Sequence, residues 1–409
     1  VNPPASWHCD IAIVGGGMVG ASLALALSST RLQVVVIEAV AAGSAAQPSF
    51  DERSTALGNG ARQILQTLGV WGTLDGALAP IREIHISDAG RFGFARLDAA
   101  EHGLTALGYT VPNRQLGTAL WQALARAPRI EVCSPARVLS MQPGAQWAQL
   151  TVAGESAPPR VLQARLVVAA DGAHSLVKQA VGIESSERDY QQVALVANLA
   201  TDRGARGIAF ERFTASGPLA LLPLADGSYT VVWTLAPEAA QRMGAADDEQ
   251  FRRALQASFG WRAGQIIRVG TRARYPLSLV SAQRLRAERV ALIGNAAQSL
   301  HPVAAQGFNL GLRDAAMLAE FIAAAEDPGD DDLLARFAQQ RAADRRGMIG
   351  FTDQLVTLFS SRRGTAIAAR DLGLLLFDLS PPAKRALSRL SWGFGGTLPR
   401  LSRGLSLSS

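Results

Sequence analysis

Lysine is nearly missing from this chain: of 40 basic residues, only Lys178 and Lys384 are lysines. Cysteine is just as scarce. Cys9 and Cys133 stand alone, which excludes a disulfide framework and a cysteine metal cluster and predicts a reducing, cytoplasmic setting. The five histidines (His8, His85, His102, His174 and His301) are too scattered to give metal-ligand spacing, so no metal is expected. Long uncharged runs are rare, and residues 11–30 form the notable one. Four glycines and a Ser28-Ser29-Thr30 end make it a poor membrane helix, and Asp10 stands where a signal sequence would need basic residues. Internal repeats and low-complexity linkers are absent too. The missing initial methionine predicts that an upstream residue or two has been lost.

What is present is an ordinary globular balance. With 409 residues, 48% hydrophobic and 18% charged, the chain can bury a large core, most naturally as two associated domains. The net charge of +6 is unevenly placed. Residues 361–409 hold eight basic side chains against Asp371 and Asp378, so the rest of the chain is neutral.

Three short segments carry the chemistry. The apolar run Cys9–Val14 leads into Gly15-Gly16-Gly17-Met18-Val19-Gly20, a G-x-G-x-x-G turn formed by Gly15, Gly17 and Gly20. Such a turn needs positive φ, backbone N–H groups close to a pyrophosphate, and a helix packed tightly on its strand. Residues 21–28 supply that helix, with its positive end towards the phosphates. A second strand, 33–37, ends at Glu38, 18 residues beyond Gly20, where an acceptor for the adenosine ribose belongs. A carboxylate there disfavours a 2′-phosphate.

Further along, residues 53–68 and 113–126 read as helices. Residues 130–134, 138–141 and 147–152 read as a small antiparallel set. The apolar strand 166–170 ends in Asp171-Gly172, either a ribose or ribityl acceptor or an ordinary strand-ending turn. From 190 to 276 the pattern is strand and turn. Residues 218–224 and 228–235 flank Asp226-Gly227, a hairpin signal. A buried strand, 290–293, then opens into Gly294-Asn295-Ala296-Ala297 and on to His301-Pro302 and Ala305-Gln306-Gly307-Phe308-Asn309, ahead of helices over 308–325 and 333–360. A glycine-containing turn opening a helix aims N–H groups at one point, which in a flavin site is the N1–C2=O edge.

Together these segments resemble the class A flavoprotein aromatic hydroxylases. The branch is the one that hydroxylates polyprenylated phenols in ubiquinone biosynthesis, and the pattern is most similar to its 2-polyprenyl-6-methoxyphenol hydroxylase subgroup. Phe50-Asp51-Glu52-Arg53, His85-Ile86-Ser87-Asp88-Ala89-Gly90 and Leu107-Gly108-Tyr109 lie where that subgroup has similar sequences. The resemblance spans residues 8–400 and departs from the pattern at two places. Asn295 replaces the Asp of the wider family, and Ala305 stands where the branch usually has Gly, which bears on loop shape.

The resemblance implies an α/β fold: a Rossmann-like FAD-binding domain (1–80, 105–185 and 286–330), an inserted antiparallel-sheet substrate domain (81–104 and 186–285), and a helical C-terminal segment (331–409). It implies that Gly15, Gly17 and Gly20 hold the pyrophosphate and Glu38 the adenosine ribose. Arg53 and Arg114 contact the phosphate–ribityl region, Asp171 and Gly172 the FAD and nicotinamide region, and Asn295 the ribityl chain. Gln306, Gly307, Phe308 and Asn309 line the isoalloxazine. NAD(P)H acts as a transient reductant, which fits the absence of a second Rossmann motif. Oxygen from O2 reaches the phenol through a C4a-hydroperoxyflavin.

With the cofactor carrying the chemistry, no Ser–His–acid set is needed, and the shortage of lysine disfavours a flavin halogenase. His301, beside Pro302, is a candidate base or else a structural turn histidine. His85 and Tyr109 are candidates for the pocket wall, as are Leu221 and Pro223, whose alternative role is sheet core. The tail over 365–401 is either a surface-lying segment on anionic lipid at the inner face of the cytoplasmic membrane or a helix packed on the enzyme body with a solvated basic face. Nucleic acid is disfavoured, since no binding motif accompanies the charge. Two other readings remain beside the monooxygenase: a flavin reductase or desaturase of a prenylated substrate, and a non-catalytic subunit of a quinone-biosynthesis complex.

Overall fold

The computed structural model describes residues 7–41, 43–44, 53–91, 93–155, 158–301, 306–360 and 397–407, with 378, 380, 382 and 384 between the last two stretches. Pro302, Ala305, residues 50–52 and most of the basic tail therefore lie outside the described residues.

The first sheet has eight strands. Its parallel core runs in the order Val290–Leu292, Arg160–Ala169, Trp7–Val14, Val34–Ile37 and Ile130–Cys133. Valine and isoleucine dominate these runs because both faces are covered. On one face lie helices Met18–Leu27, Asn113–Leu124 and Gly307–Ala323, joined to the sheet through Ile11, Ile13, Leu23, Leu27, Leu120 and Leu318. On the other, the hairpin Ala136–Gln142/Ala148–Gly154 covers Ala12, Val14, Val167 and Ala169. The small antiparallel set is thus smaller than expected. Ile130–Cys133 extends the parallel sheet, with Glu38 N–H donating to the Cys133 carbonyl at 2.9 Å, while the hairpin alone is antiparallel. Alternation cannot reveal which neighbour a short strand takes.

A second departure lies at 53–68. Ser54–Gly58 is a strand and the helix begins only at Asn59, ending at Thr67. The strand pairs with Gly108–Pro112, which also pairs with Ala79–Ile81. A Cβ on Gly108 would lie 2.7 Å from the Leu57 carbonyl oxygen, so the pairing depends on a bare glycine backbone. Tertiary pairing overrides the helical pattern here.

The second sheet has nine strands, antiparallel apart from Ile208–Thr214, which runs parallel to Glu83–Asp88. The expected hairpin is present as Gly217–Pro223 and Tyr229–Leu235. Two helices were not foreseen: Pro237–Ala245, which starts with Pro at a position tolerant of it, and Asp248–Phe259, capped by Asp247 accepting from the Gln250 N–H. They cover the outer face, burying Leu195, Leu219, Leu221, Trp233, Phe251 and Phe259. Side chains of opposite parity, among them Ala194, Val196, Val232, Tyr275 and Leu277, gather on the inner face.

A buried ionic cluster joins the layers. Asp314 accepts from Arg341 Nε at 2.8 Å and from Gln298 Nε2 at 2.7 Å, and Asp344 pairs with both Arg341 and Arg313. Arg345 donates to Gln298 Oε1 and to the carbonyls of Ala282 and Ala297. Helices Gly307–Ala323 and Asp331–Ser360 are thereby tied to the Gly294 turn, whose N–H donates to Asp314 Oδ2 at 3.3 Å. Removing one partner from a buried pair strands the other charge in a medium that cannot solvate it. Asp314→Ala is expected to lower stability by about 3–5 kcal/mol, read as a drop in the midpoint of urea unfolding.

Candidate active site

Gly15 adopts φ +103°, and a Cβ there would sit 2.4 Å from the Ala170 carbonyl oxygen and 2.8 Å from the Asp171 nitrogen. The first and second segments are therefore in backbone contact. A Cβ on Gly20 would lie 2.0 Å from the Gly15 carbonyl oxygen, which forces the helix Met18–Leu27 hard against its own turn. The third segment joins through Val19. Cβ atoms on Gly294 (φ +58°) and Gly311 would meet its side chain at 3.1 and 2.9 Å, and Gly311 also lies against Gly294. Residues nearly 300 positions apart in sequence thus close into one cradle, with the bare N-terminal turn of Met18–Leu27 at its floor.

Polar groups line the cradle. Glu38 is buried, and its carboxylate accepts from the Gly16 N–H at 2.7 Å and the Val40 N–H at 2.9 Å. Each oxygen keeps a second lone pair, so the acid can hold the glycine loop and a ribose together. Trp121 Nε1 donates to the Gly16 carbonyl at 3.1 Å, a support that no motif announced.

Asp171 accepts from the Leu176 N–H through Oδ2 at 2.9 Å, while its buried Oδ1 has no hydrogen-bond partner within reach among the described residues. Burial holds its pKa above the usual carboxylate range. An orphaned acceptor beside Gly172 (φ +88°) fits a hydroxyl of the cofactor. Asn295 is exposed at the rim of the Gly294–Ala296 turn.

Other expected residues do different work. The Asn309 carboxamide is bonded to the Ala56 carbonyl at 2.8 Å and the Gly58 N–H at 2.9 Å, so it splices a strand to a helix. Phe308 packs against the first core cluster, while Gln306 is buried at the helix entry and Gly307 opens it. Arg53 lies over Tyr275, 4.5 Å from the ring centre, and Arg114 is exposed in the first turn of Asn113–Leu124.

The pocket-wall expectations need correction. Leu221 is fully buried in the outer core under the two helices, and alternation puts Pro223 on the same side. His85 also faces outward, beside Phe94 and Phe210. Burial and then the nearby Arg262 guanidinium push its pKa down to about 4. Tyr109 packs edge-on against Trp71 and accepts from Arg62, on the helical side of its sheet. Leu221 and Pro223 thus take the sheet-core role that was their alternative, while no strand was read around His85 or Tyr109 to show which way they face.

The inner face of the second sheet carries a different set of side chains. Tyr190 meets His301 edge-on with ring centres 5.1 Å apart, and its hydroxyl donates to Asp353. The buried His301 has its pKa pushed down to about 4 by desolvation, so at neutral pH it is an uncharged imidazole and a weak base. Ser54 bonds Thr230 across the gap at 2.9 Å, which fixes the distance between strand Ser54–Gly58 and this face. Among the described residues no cluster of His, Cys, Asp or Glu could hold a metal.

Comparison with known proteins agrees with this geometry. Residues 8–352 match the family model described as an FAD binding domain. The chain is 36% identical to the ubiquinone hydroxylase UbiL of Rhodospirillum rubrum, covering 100% of this chain and 95% of that protein. It is 31% identical to the 3-demethoxyubiquinol 3-hydroxylase of Escherichia coli, covering 94% and 98%. In fold it is similar to p-nitrophenol 4-monooxygenase PnpA from Pseudomonas putida, with a TM-score of 0.81 at 20% identity over 95% of this chain and 99% of that one. The chain belongs to the FAD-binding family of flavoprotein hydroxylases to which the ubiquinone hydroxylases also belong.

Proposed function

We propose that this chain is an FAD-dependent monooxygenase that hydroxylates the ring of a polyprenylated phenol in ubiquinone biosynthesis, with NAD(P)H as transient reductant. The observation that carries the reading is the convergence of the Gly15, Asp171 and Gly294 segments on one cradle that only bare glycine backbone permits. When bound, FAD supplies electron transfer from NAD(P)H and the activation of O2.

The residues of the chain hold and screen that chemistry. The N-terminal turn of Met18–Leu27 would hold the pyrophosphate, Glu38 the adenosine ribose, and Asp171 Oδ1 would accept from a hydroxyl of the cofactor. Arg53, Arg114 and Asn295 would hold the phosphate–ribityl region, and Gln306 and Gly307 the isoalloxazine. The apolar inner face around Val196, Val232 and Leu277 excludes water from the reacting centre. The domain division at about 81–104 and 186–285 follows the strands of the second sheet, although its edge strand Gln298–Ser299 comes from beyond it.

The basic tail is the proposed contact with an anionic membrane surface, or with a quinone-biosynthesis assembly, where a prenylated substrate would be met. Not all of its charge is free for that role. Lys384 pairs with Asp378 at 3.0 Å, and Leu401 is buried, with its carbonyl accepting from Thr67. Among the described residues no helix is long and apolar enough to cross a membrane.

Purified protein is expected to carry the visible flavin absorbance band and to oxidise NAD(P)H faster when a prenylated phenol is added, with hydroxylated product matching oxygen consumed. Oxygen-independent turnover would instead mark a reductase or desaturase, and a colourless, inert protein a non-catalytic subunit. Asp171→Asn keeps an acceptor for Leu176 but removes the charge, and should weaken FAD binding about tenfold in a fluorescence-quenching titration. Gly15→Ala should yield protein without flavin, because its methyl group would collide with the Ala170 carbonyl.

A further inference from the structure

Glu211 is the sole acid of strand Ile208–Thr214, and register fixes where it points. It lies opposite Ala220 on one neighbouring strand and Ile86 on the other. Phe210 and Arg212, on either side of it, face outward: Phe210 sits in the outer core, and Arg212 Nε donates to the Ser258 carbonyl of the covering helix. Glu211 therefore shares the inner face with Val232 and Tyr190. Its side chain is deep in the fold yet keeps some accessible surface.

No hydrogen bond or salt bridge compensates this carboxyl among the described residues, and burial alone pushes its pKa up to about 7. An uncompensated buried acid destabilises a fold, so a structural role is a poor explanation for it. A phenol hydroxylase has a use for such a group. The ring is a far better nucleophile as phenolate, while an ordinary phenol ionises near pH ~10, so a base poised close to neutrality is suited to the proton.

We propose that Glu211 is a catalytic residue, the general base that accepts the hydroxyl proton of the bound phenol. This rests on the phenol-hydroxylase reading above. The substrate O–H bond breaks, the proton passes to a Glu211 oxygen, and the electron pair stays on the substrate oxygen, enriching the ring carbons ortho and para to it. After oxygen transfer the attacked carbon sheds its own proton to solvent water as the ring regains aromaticity, and Glu211 returns the borrowed one to the product oxygen. The carboxylate is then regenerated.

Other titratable groups on that side are Asp88, two residues along the neighbouring strand, Tyr190, His301 and Tyr275 with Arg53 over its ring, while Arg188 and Asp353 pair behind Tyr190. Tyr190 is pushed up to about 12 by burial and His301 down to about 4, so neither titrates near neutrality.

The test compares wild-type holoenzyme with Glu211→Gln and Glu211→Asp, using 2-prenylphenol and following NAD(P)H oxidation, product and the ultraviolet difference spectrum of the bound phenol. Wild-type kcat should rise through pH 7 as the carboxyl ionises. Glu211→Gln should lose about a hundredfold in kcat with FAD content and substrate KM little changed. Its activity should recover as pH approaches ~10, where the phenol ionises unaided. The difference spectrum should show phenolate in the wild type and neutral phenol in Glu211→Gln, and Glu211→Asp should restore part of both. An active Glu211→Gln enzyme with the wild-type pH profile and phenolate spectrum would overturn the base assignment alone. A wild type that hydroxylates no phenol would remove the reading beneath it as well.

Discussion

Backbone contact closer than any Cβ could survive is the constraint from which this fold follows. Gly15 lies on the Ala170 carbonyl, Gly20 on the Gly15 carbonyl, and Gly311 on Gly294 through Val19. Each contact brings a strand end and a helix start within reach of the same point, so that peptide N–H groups from remote parts of the chain share one anion-facing cradle. A single methyl group at Gly15 would separate the first segment from the second. Glu38 and Trp121 then clamp the loop from outside, acting on the Gly16 N–H and carbonyl.

Behind the cradle, buried charge replaces close approach as the organising force. Three arginines (Arg313, Arg341 and Arg345) meet Asp314 and Asp344 where the Gly294 turn, the helix Gly307–Ala323 and the long helix Asp331–Ser360 come together. Charges this deep are tolerable only when every partner is in place, so the helices and the turn hold one another in position. Arg345 extends the cluster to Ala282 and Gln298 of the second sheet, which ties that sheet to the turn that closes the cradle. The separation between the two sheets is thus set by hydrogen bonds of fixed length rather than by apolar contact alone.

Much of the cofactor half was legible in advance, because its signals are local. A glycine at a required positive φ and an acid at a strand end keep their meaning wherever the chain later goes. Strand Ser54–Gly58 was misread for the opposite reason, as pairing with Gly108–Pro112 outweighs its local pattern, whereas the helices of 237–259 carry local signals, Pro237 and the Asp247 cap, that went unread. Leu221, His85 and Tyr109 show the same limit at the level of single side chains. Leu221 lay in a run read as a strand, His85 and Tyr109 did not, and for none of them did the sequence say which face turns outward.

From the sequence by itself came the coenzyme class, the strand-turn-helix carrying the phosphates, the hairpin at Asp226-Gly227 and the basic tail, all written in residues near one another along the chain. The tertiary structure alone decided which face of the second sheet looks inward, that the Asn309 amide bonds Ala56 and Gly58, and that Glu211 shares that face with Tyr190 without a charged partner among the described residues. Alternation in a strand determines which residues share a side. Which side becomes the interior depends on the layers that pack against it, and no residue of the strand encodes them.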